Sequence, residues 1–161
     1  MDKINTTNIG FEPLIYEDSD ILILGSFPSV KSRENNFYYG NPQNRFWKML
    51  ATIFNEQTPN SINEKKLLCK KHKIALWDVI IESDLKGSSD FDLEKSNYKV
   101  CDLNSLLSSH KTIKKIICNG KLSFKLFNNF FLLNIPVFQL PSTSSANPRF
   151  NIELWSDVLL K

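Results

Sequence analysis

The stretch from Ile21 to Leu50 reads ILILGSFPSVKSRENNFYYGNPQNRFWKML, and its pattern decides the fold. Residues 21–24 form an aliphatic run with no polar alternation, the mark of a strand covered on both faces, and Gly25 and Pro28 stop it abruptly. The turn that follows therefore sits at a strand's C-terminal edge. In open α/β sheets ligands bind at that edge, because loops from several strands converge there. Further on, Phe46, Trp47, Leu50, Ala51 and Phe54 recur at helical spacing, so the stretch ends as an amphipathic helix with Asn44 in its first turn.

The rest of the chain repeats this alternation. Strands are expected at 21–25, 74–77, 113–118 and 136–140, and helices at 44–54, 62–71, 102–109, 121–133 and 150–160. Strands separated by helices imply parallel βαβ units, with helices on both faces of the sheet. Ser61 is placed to cap the second helix, with Glu64 completing a capping box. The polar segment 82–99 breaks the pattern and reads as a functional loop or an excursion over the strand edge. At 161 residues, 1–161 is expected to be a single domain.

Composition excludes several classes. With 23% charged residues and no apolar run near the roughly 18 residues of a membrane span, no membrane association is expected. Residues 1–10 are polar, unlike a secretory signal. Cys69, Cys101 and Cys118 lack CxxC spacing and read as reduced intracellular thiols, so neither a disulfide framework nor a metal site is indicated, and a cytoplasmic location is expected. His72 and His110 lie among lysines and read as solvated surface residues. Net charge is +3, with clusters at Lys65, Lys66, Lys70, Lys71 and Lys73 and at Lys111, Lys114 and Lys115. Such clusters permit phosphate contact without requiring it, and solvated helix faces are the simpler reading.

A second informative segment is Leu140-Pro141-Ser142-Thr143-Ser144-Ser145-Ala146-Asn147-Pro148, again between a strand and a helix. Short hydroxyl side chains beside exposed N–H groups suit phosphate oxygens, although a Ser/Thr-rich loop alone is more often a turn. The two segments together resemble the uracil-DNA glycosylase superfamily, and within it the hypoxanthine-DNA, or deoxyinosine, glycosylase branch. The resemblance rests on Gly25-Ser26-Phe27-Pro28, Tyr38-Tyr39, Pro42-Gln43-Asn44-Arg45-Phe46-Trp47, Leu76-Trp77-Asp78-Val79, Asn119-Gly120 and Leu140 to Ala146, in the branch's order over most of the chain. Ser145 stands where the branch usually has proline.

The resemblance implies a three-layer α/β/α sandwich around a central, mainly parallel four-stranded sheet. It also implies a monomeric DNA-repair enzyme, needing no cofactor, that flips a deaminated nucleotide and hydrolyses its N-glycosidic bond. Nucleoid association would follow in a prokaryote. The chemistry accounts for the residue types: a stacked base must be extruded into a pocket and held by stacking and edge contacts. Tyr39 is the first candidate to stack on it and Tyr38 the second. Phe27 lines the same pocket. Many relatives carry Asp or Asn at that position to orient water, which an apolar ring cannot do, so in this branch the burden passes to Asn44. Asn119 is expected at the base edge, where one amide can satisfy both N1–H and O6 of hypoxanthine. Ser142, Thr143 and Ser144 are assigned to the DNA backbone, and Asn147 and Arg149 to the space the base vacates. Asp78 and Ser26 are secondary candidates. Two other readings stay open: uracil release on the same fold, and a catalytically silent DNA-binding module.

Overall fold

The computed structural model describes residues 7–87 and 89–161. In chain order the elements are β1 (Asn8–Ile9), β2 (Ile21–Gly25), α1 (Val30–Glu34), α2 (Phe46–Ile53), α3 (Ile62–Lys71), β3 (Ile74–Asp78) and β4 (Ile80–Ser83). They continue with α4 (Asp90–Lys95), β5 (Tyr98–Val100), α5 (Leu103–Ser109), β6 (Lys115–Asn119), α6 (Lys121–Phe130), β7 (Val137–Leu140) and α7 (Ile152–Leu160). The central sheet has the order β3-β2-β6-β7, with every neighbouring pair parallel. All residues of β2 and β3 are buried, as their unbroken apolar runs require.

From β2 the chain crosses to β3 on one side, and from β3 it returns past β2 to β6 and on to β7. Right-handed crossovers then put α2 and α3 on one face and α5 and α6 on the other. Helix α7 joins α2, where Trp155 meets Phe46 edge to face at 6.4 Å. On the opposite face Ser123 of α6 donates to the Leu24 carbonyl at 2.7 Å. The direction of travel reverses between β2 and β6, so the loops leaving their C-terminal ends part to opposite faces and open a crevice.

The four expected core strands are present within one or two residues, and the expected helices form, several of them shorter. Helix α2 begins at Phe46 because the Asn44 side chain accepts the Phe46 N–H at 2.9 Å. At α3 the Ser61 hydroxyl accepts from the Glu64 N–H at 3.1 Å, but the Glu64 carboxylate reaches Asn60 N, one residue earlier than the capping box requires. The segment 82–99 is corrected: it holds the end of β4, helix α4 and the start of β5. Strands β1, β4 and β5 make a small antiparallel sheet of order β1-β4-β5, and α4 carries a Ser89–Asp92 capping box. His72 is also corrected, since it stacks on Phe54 at 4.0 Å and meets Glu56 at 2.9 Å. His110 is held by Nδ1 against the Leu106 carbonyl. No helix among the described residues is long and apolar enough to cross a membrane.

Candidate active site

The crevice between β2 and β6 deepens into a cavity of about 220 Å³. Its wall comes from the turn after β2 and from α1, its floor from the ends of β3 and β6, and its far side from the loop after β7. Lys73 and Lys114, by contrast, lie just before β3 and β6, at the opposite end of strands that rise about 3.3 Å per residue. These lysines are therefore surface charge remote from the cavity. Lys114 pairs with Asp20 at 3.5 Å and Lys71 with Glu56 at 2.9 Å.

Gly25 and Asp78 are register partners at the ends of β2 and β3. A Cβ on Gly25 would overlap Asp78 Oδ1 and lie 3.3 Å from the Tyr39 hydroxyl, so only glycine lets these groups approach. Asp78 is 5% exposed, lines the cavity and makes no hydrogen bond or ion pair with a described residue. Burial pushes its carboxyl up to about 7.

Tyr39 lies in the left-handed region at φ 51°, a strained conformation for an aromatic residue. One face of its ring stacks on Phe46 at 4.0 Å, and its buried hydroxyl has no hydrogen-bond partner. Burial raises the Tyr39 pKa first and the Asp78 carboxyl second, while the nearby Asn119 amide works the other way. Tyr38 touches the cavity but is 3% exposed, its hydroxyl donates to the Glu12 carbonyl at 2.7 Å, and its ring packs on Phe11 and Phe37. It is chiefly a packing residue. Phe27 lines the wall with the Arg33 guanidinium 5.5 Å above its ring, and Ser26 accepts the Ile80 N–H through its carbonyl.

Asn44 also faces the cavity. One lone pair of its Oδ1 holds the Phe46 N–H, fixing the amide's orientation, while no described residue accepts from Nδ2. The residue thus both braces the turn that leads into α2, whose N-cap is Arg45, and faces the pocket, with a second lone pair and two N–H donors in reserve.

Asn119 is committed differently from the sequence expectation. Its Nδ2 donates to Thr143 Oγ1 at 3.0 Å and its Oδ1 accepts from Thr143 N at 3.0 Å, so the amide ties strand β6 to the 141–149 loop. The tie leaves one N–H and one lone pair. Thr143, 1% exposed and turned inward, cannot offer its hydroxyl to a phosphate. The outward hydroxyls of the loop are those of Ser142, Ser144 and Ser145, which line the cavity. Asn147 is likewise engaged, donating to Ser142 O at 2.9 Å and accepting from Arg149 N at 3.0 Å. Its amide is unavailable as a wedge, whereas Arg149 is exposed.

Two arginines escaped sequence reasoning. Arg45 donates from Nη1 to the carbonyls of Ser144 at 2.8 Å and Asn147 at 3.1 Å and sits over the Phe150 ring, fastening the loop to the start of α2. Arg33 donates to the Pro28 carbonyl at 3.3 Å and is the cation on the cavity wall. Only the position of Arg45 inside Pro42 to Trp47 hinted at its importance. No cluster of three or more His, Cys, Asp or Glu side chains suited to a metal occurs among the described residues.

A parallel sheet with a small, amide- and hydroxyl-lined cavity at its switch point has the room and the hydrogen-bonding groups to hold one nucleobase. The family model of the uracil DNA glycosylase superfamily matches residues 13–159. The chain is 34% identical over 143 residues to the "Hypoxanthine DNA glycosylase" of Methanosarcina acetivorans, covering 88% of this chain and 89% of that one. It is 34% identical over 142 residues to the protein of the same name from Methanosarcina barkeri, covering 87% and 88%. A solution NMR structure of a "putative Uracil DNA glycosylase" from Methanosarcina acetivorans superposes with a TM-score of 0.79 at 30% identity, covering 96% of this chain and 97% of that one. The chain belongs to the uracil DNA glycosylase superfamily.

Proposed function

We propose that the protein is a monofunctional DNA glycosylase that flips deoxyinosine out of DNA and hydrolyses its N-glycosidic bond, releasing hypoxanthine. The observation that carries this reading is the cavity at the switch point, walled by Tyr39, Asn44, Asp78 and the hydroxyl loop. At about 220 Å³ it falls below the roughly 300–1,000 Å³ of common ligand pockets and matches a single base better than a larger ligand. The two relatives named hypoxanthine DNA glycosylases favour the purine.

In the reaction a water oxygen bonds to the sugar C1′ as the bond from C1′ to the base nitrogen breaks, and the electron pair leaves with the base. One water proton ends on the base, giving neutral hypoxanthine and an abasic site. The sugar passes through an oxocarbenium-like state, so the protein's task is positioning and polarisation. Asn44 orients the water through its spare Oδ1 lone pair, while the bond from the Phe46 N–H keeps that lone pair fixed. Tyr39 stacks on the base with the face turned away from Phe46. Among the described residues no lysine lines the cavity, which supports plain hydrolysis over an imine mechanism.

The test is alkali-dependent cleavage of a duplex carrying one deoxyinosine, compared with one deoxyuridine. Release of hypoxanthine at the higher rate is expected, and equal or faster uracil release would overturn the purine assignment. Asn44→Ser, which keeps a side-chain oxygen able to accept a backbone N–H in the turn, should lower the single-turnover rate by about 10²-fold with little change in melting. An unchanged rate would remove Asn44 from the mechanism.

A further inference from the structure

We infer that Asp78, carrying its proton, reads the lactam edge of the flipped base, donating to the carbonyl oxygen and accepting from the neighbouring ring N–H. This deepens the reading above and rests on it. Three observations place the group. Asp78 lies at the end of β3, in the floor of the cavity, with almost no exposed surface. Gly25 is cut back to a bare Cα beside it, which gives the carboxyl room and keeps other side chains from covering it. No partner meets it: the described residues supply neither a hydrogen bond nor an ion pair, and the nearby Tyr39 hydroxyl is likewise unpaired. Buried polar groups are normally satisfied, and an isolated carboxyl in a cavity points to a partner that arrives with the ligand.

The protonation state follows from the surroundings. Asp78 is faced by the Tyr38 and Tyr39 hydroxyls and the Cys101 thiol, all of which its charge pushes further from ionising. The cavity's other charged groups, Arg33 and Asp90, form no pair with it. Burial alone sets its titration near 7, so the neutral form is substantially populated in the cell's pH range. A neutral carboxyl presents one O–H donor beside one C=O acceptor, complementary to the O6 acceptor and N1–H donor of hypoxanthine. The ionised form offers two acceptors. It would suit the adjacent N1–H and amino donors of guanine, and it would repel the charge that develops on a leaving hypoxanthine. Guanine shares the O6 and N1–H edge, so the proton on Asp78 removes the ionised form's preference for guanine and leaves a carboxyl that fits the deaminated purine.

The test measures single-turnover base release between pH 5.5 and 9 for the wild type, Asp78→Asn and Asp78→Ala, together with the ¹³C carboxyl resonance of Asp78 with and without free hypoxanthine. The wild-type rate should fall as pH rises through about 7, following one deprotonation. Asp78→Asn, whose amide still offers a donor and an acceptor, should retain release with a flat profile. Asp78→Ala should be slower by about 10²-fold. Free hypoxanthine should hold the carboxyl resonance at its protonated position to higher pH. A wild-type rate that rises with pH, an Asp78→Asn profile identical to wild type, or a resonance indifferent to hypoxanthine would each overturn the inference. A wild type that releases no base, yet whose Asp78 resonance responds to hypoxanthine, would defeat the glycosylase reading and leave the base contact standing.

Discussion

Replacing Asn119 by alanine separates a loop anchor from a base reader. The substitution removes the bond from Nδ2 to Thr143 Oγ1 and the bond from Thr143 N to Oδ1, both 3.0 Å long. Each is worth about 1 kcal/mol net, and stranding the Thr143 N–H on a residue 1% exposed adds roughly 1–3 kcal/mol where water does not reach it. A total loss of about 3–5 kcal/mol follows, which for a chain of this size lowers the melting temperature by roughly 6–20 °C. Thr143→Val removes only the hydroxyl partner and should cost about 1 kcal/mol. Because the two residues share the bond, the double variant should lose less than the sum of the singles. Thermal melts followed by circular dichroism, with limited proteolysis of the 141–149 loop, read the effect. An Asn119→Ala protein that melts like the wild type but releases no base would refute the anchoring role and return Asn119 to the base edge.

Asp78 makes an opposite prediction for stability. Its folded pKa, about 7, lies above the ordinary value of 3.8, so its relative contribution is fully present below that ordinary value and is lost as pH rises through about 7. Asp78→Asn should match the wild type near pH 4 and exceed it at pH 8 by up to about 4 kcal/mol in urea unfolding, the free-energy equivalent of a shift of about three pH units. Equal stability at pH 8 would mean the buried carboxylate is relieved by something unseen. Gly25→Ala should destabilise by about 1–3 kcal/mol through overlap with Asp78 Oδ1. Adding Asp78→Ala to that chain should restore much of the loss, and a Gly25→Ala protein of wild-type stability would show that the floor yields.

The central sheet was legible because a parallel strand covered on both faces must be apolar throughout, and residues 21–24, 74–77 and 116–118 are. The small sheet was hidden for a related reason. Val79 alone separates β3 from β4, so 74–81 reads as a single stretch broken only by Asp78, and at three residues β5 is too short for its Tyr98/Val100 alternation to stand out. Asn44 could be found because its role is local, a side chain acting on the amide two residues later. Asn119 and Thr143 are 24 residues apart, and Arg45 and Ser144 are 99 apart. Residue type suggested that Asn119 and Thr143 were functional, while only proximity in the fold reveals that each satisfies the other. The isolation of Asp78 is equally invisible in a sequence, since a missing partner leaves no mark on the residues nearby.

The contact between Gly25 and Asp78 also restricts the order in which this site can change over evolutionary time. While residue 78 carries a carboxyl, any side chain at position 25 collides with it, so the glycine is locked in place. The lock opens from one side only: shortening residue 78 first makes substitution at position 25 tolerable, whereas the reverse order passes through a disfavoured intermediate. Lineages that abandon the acidic floor can therefore drift at position 25, and those that keep it cannot.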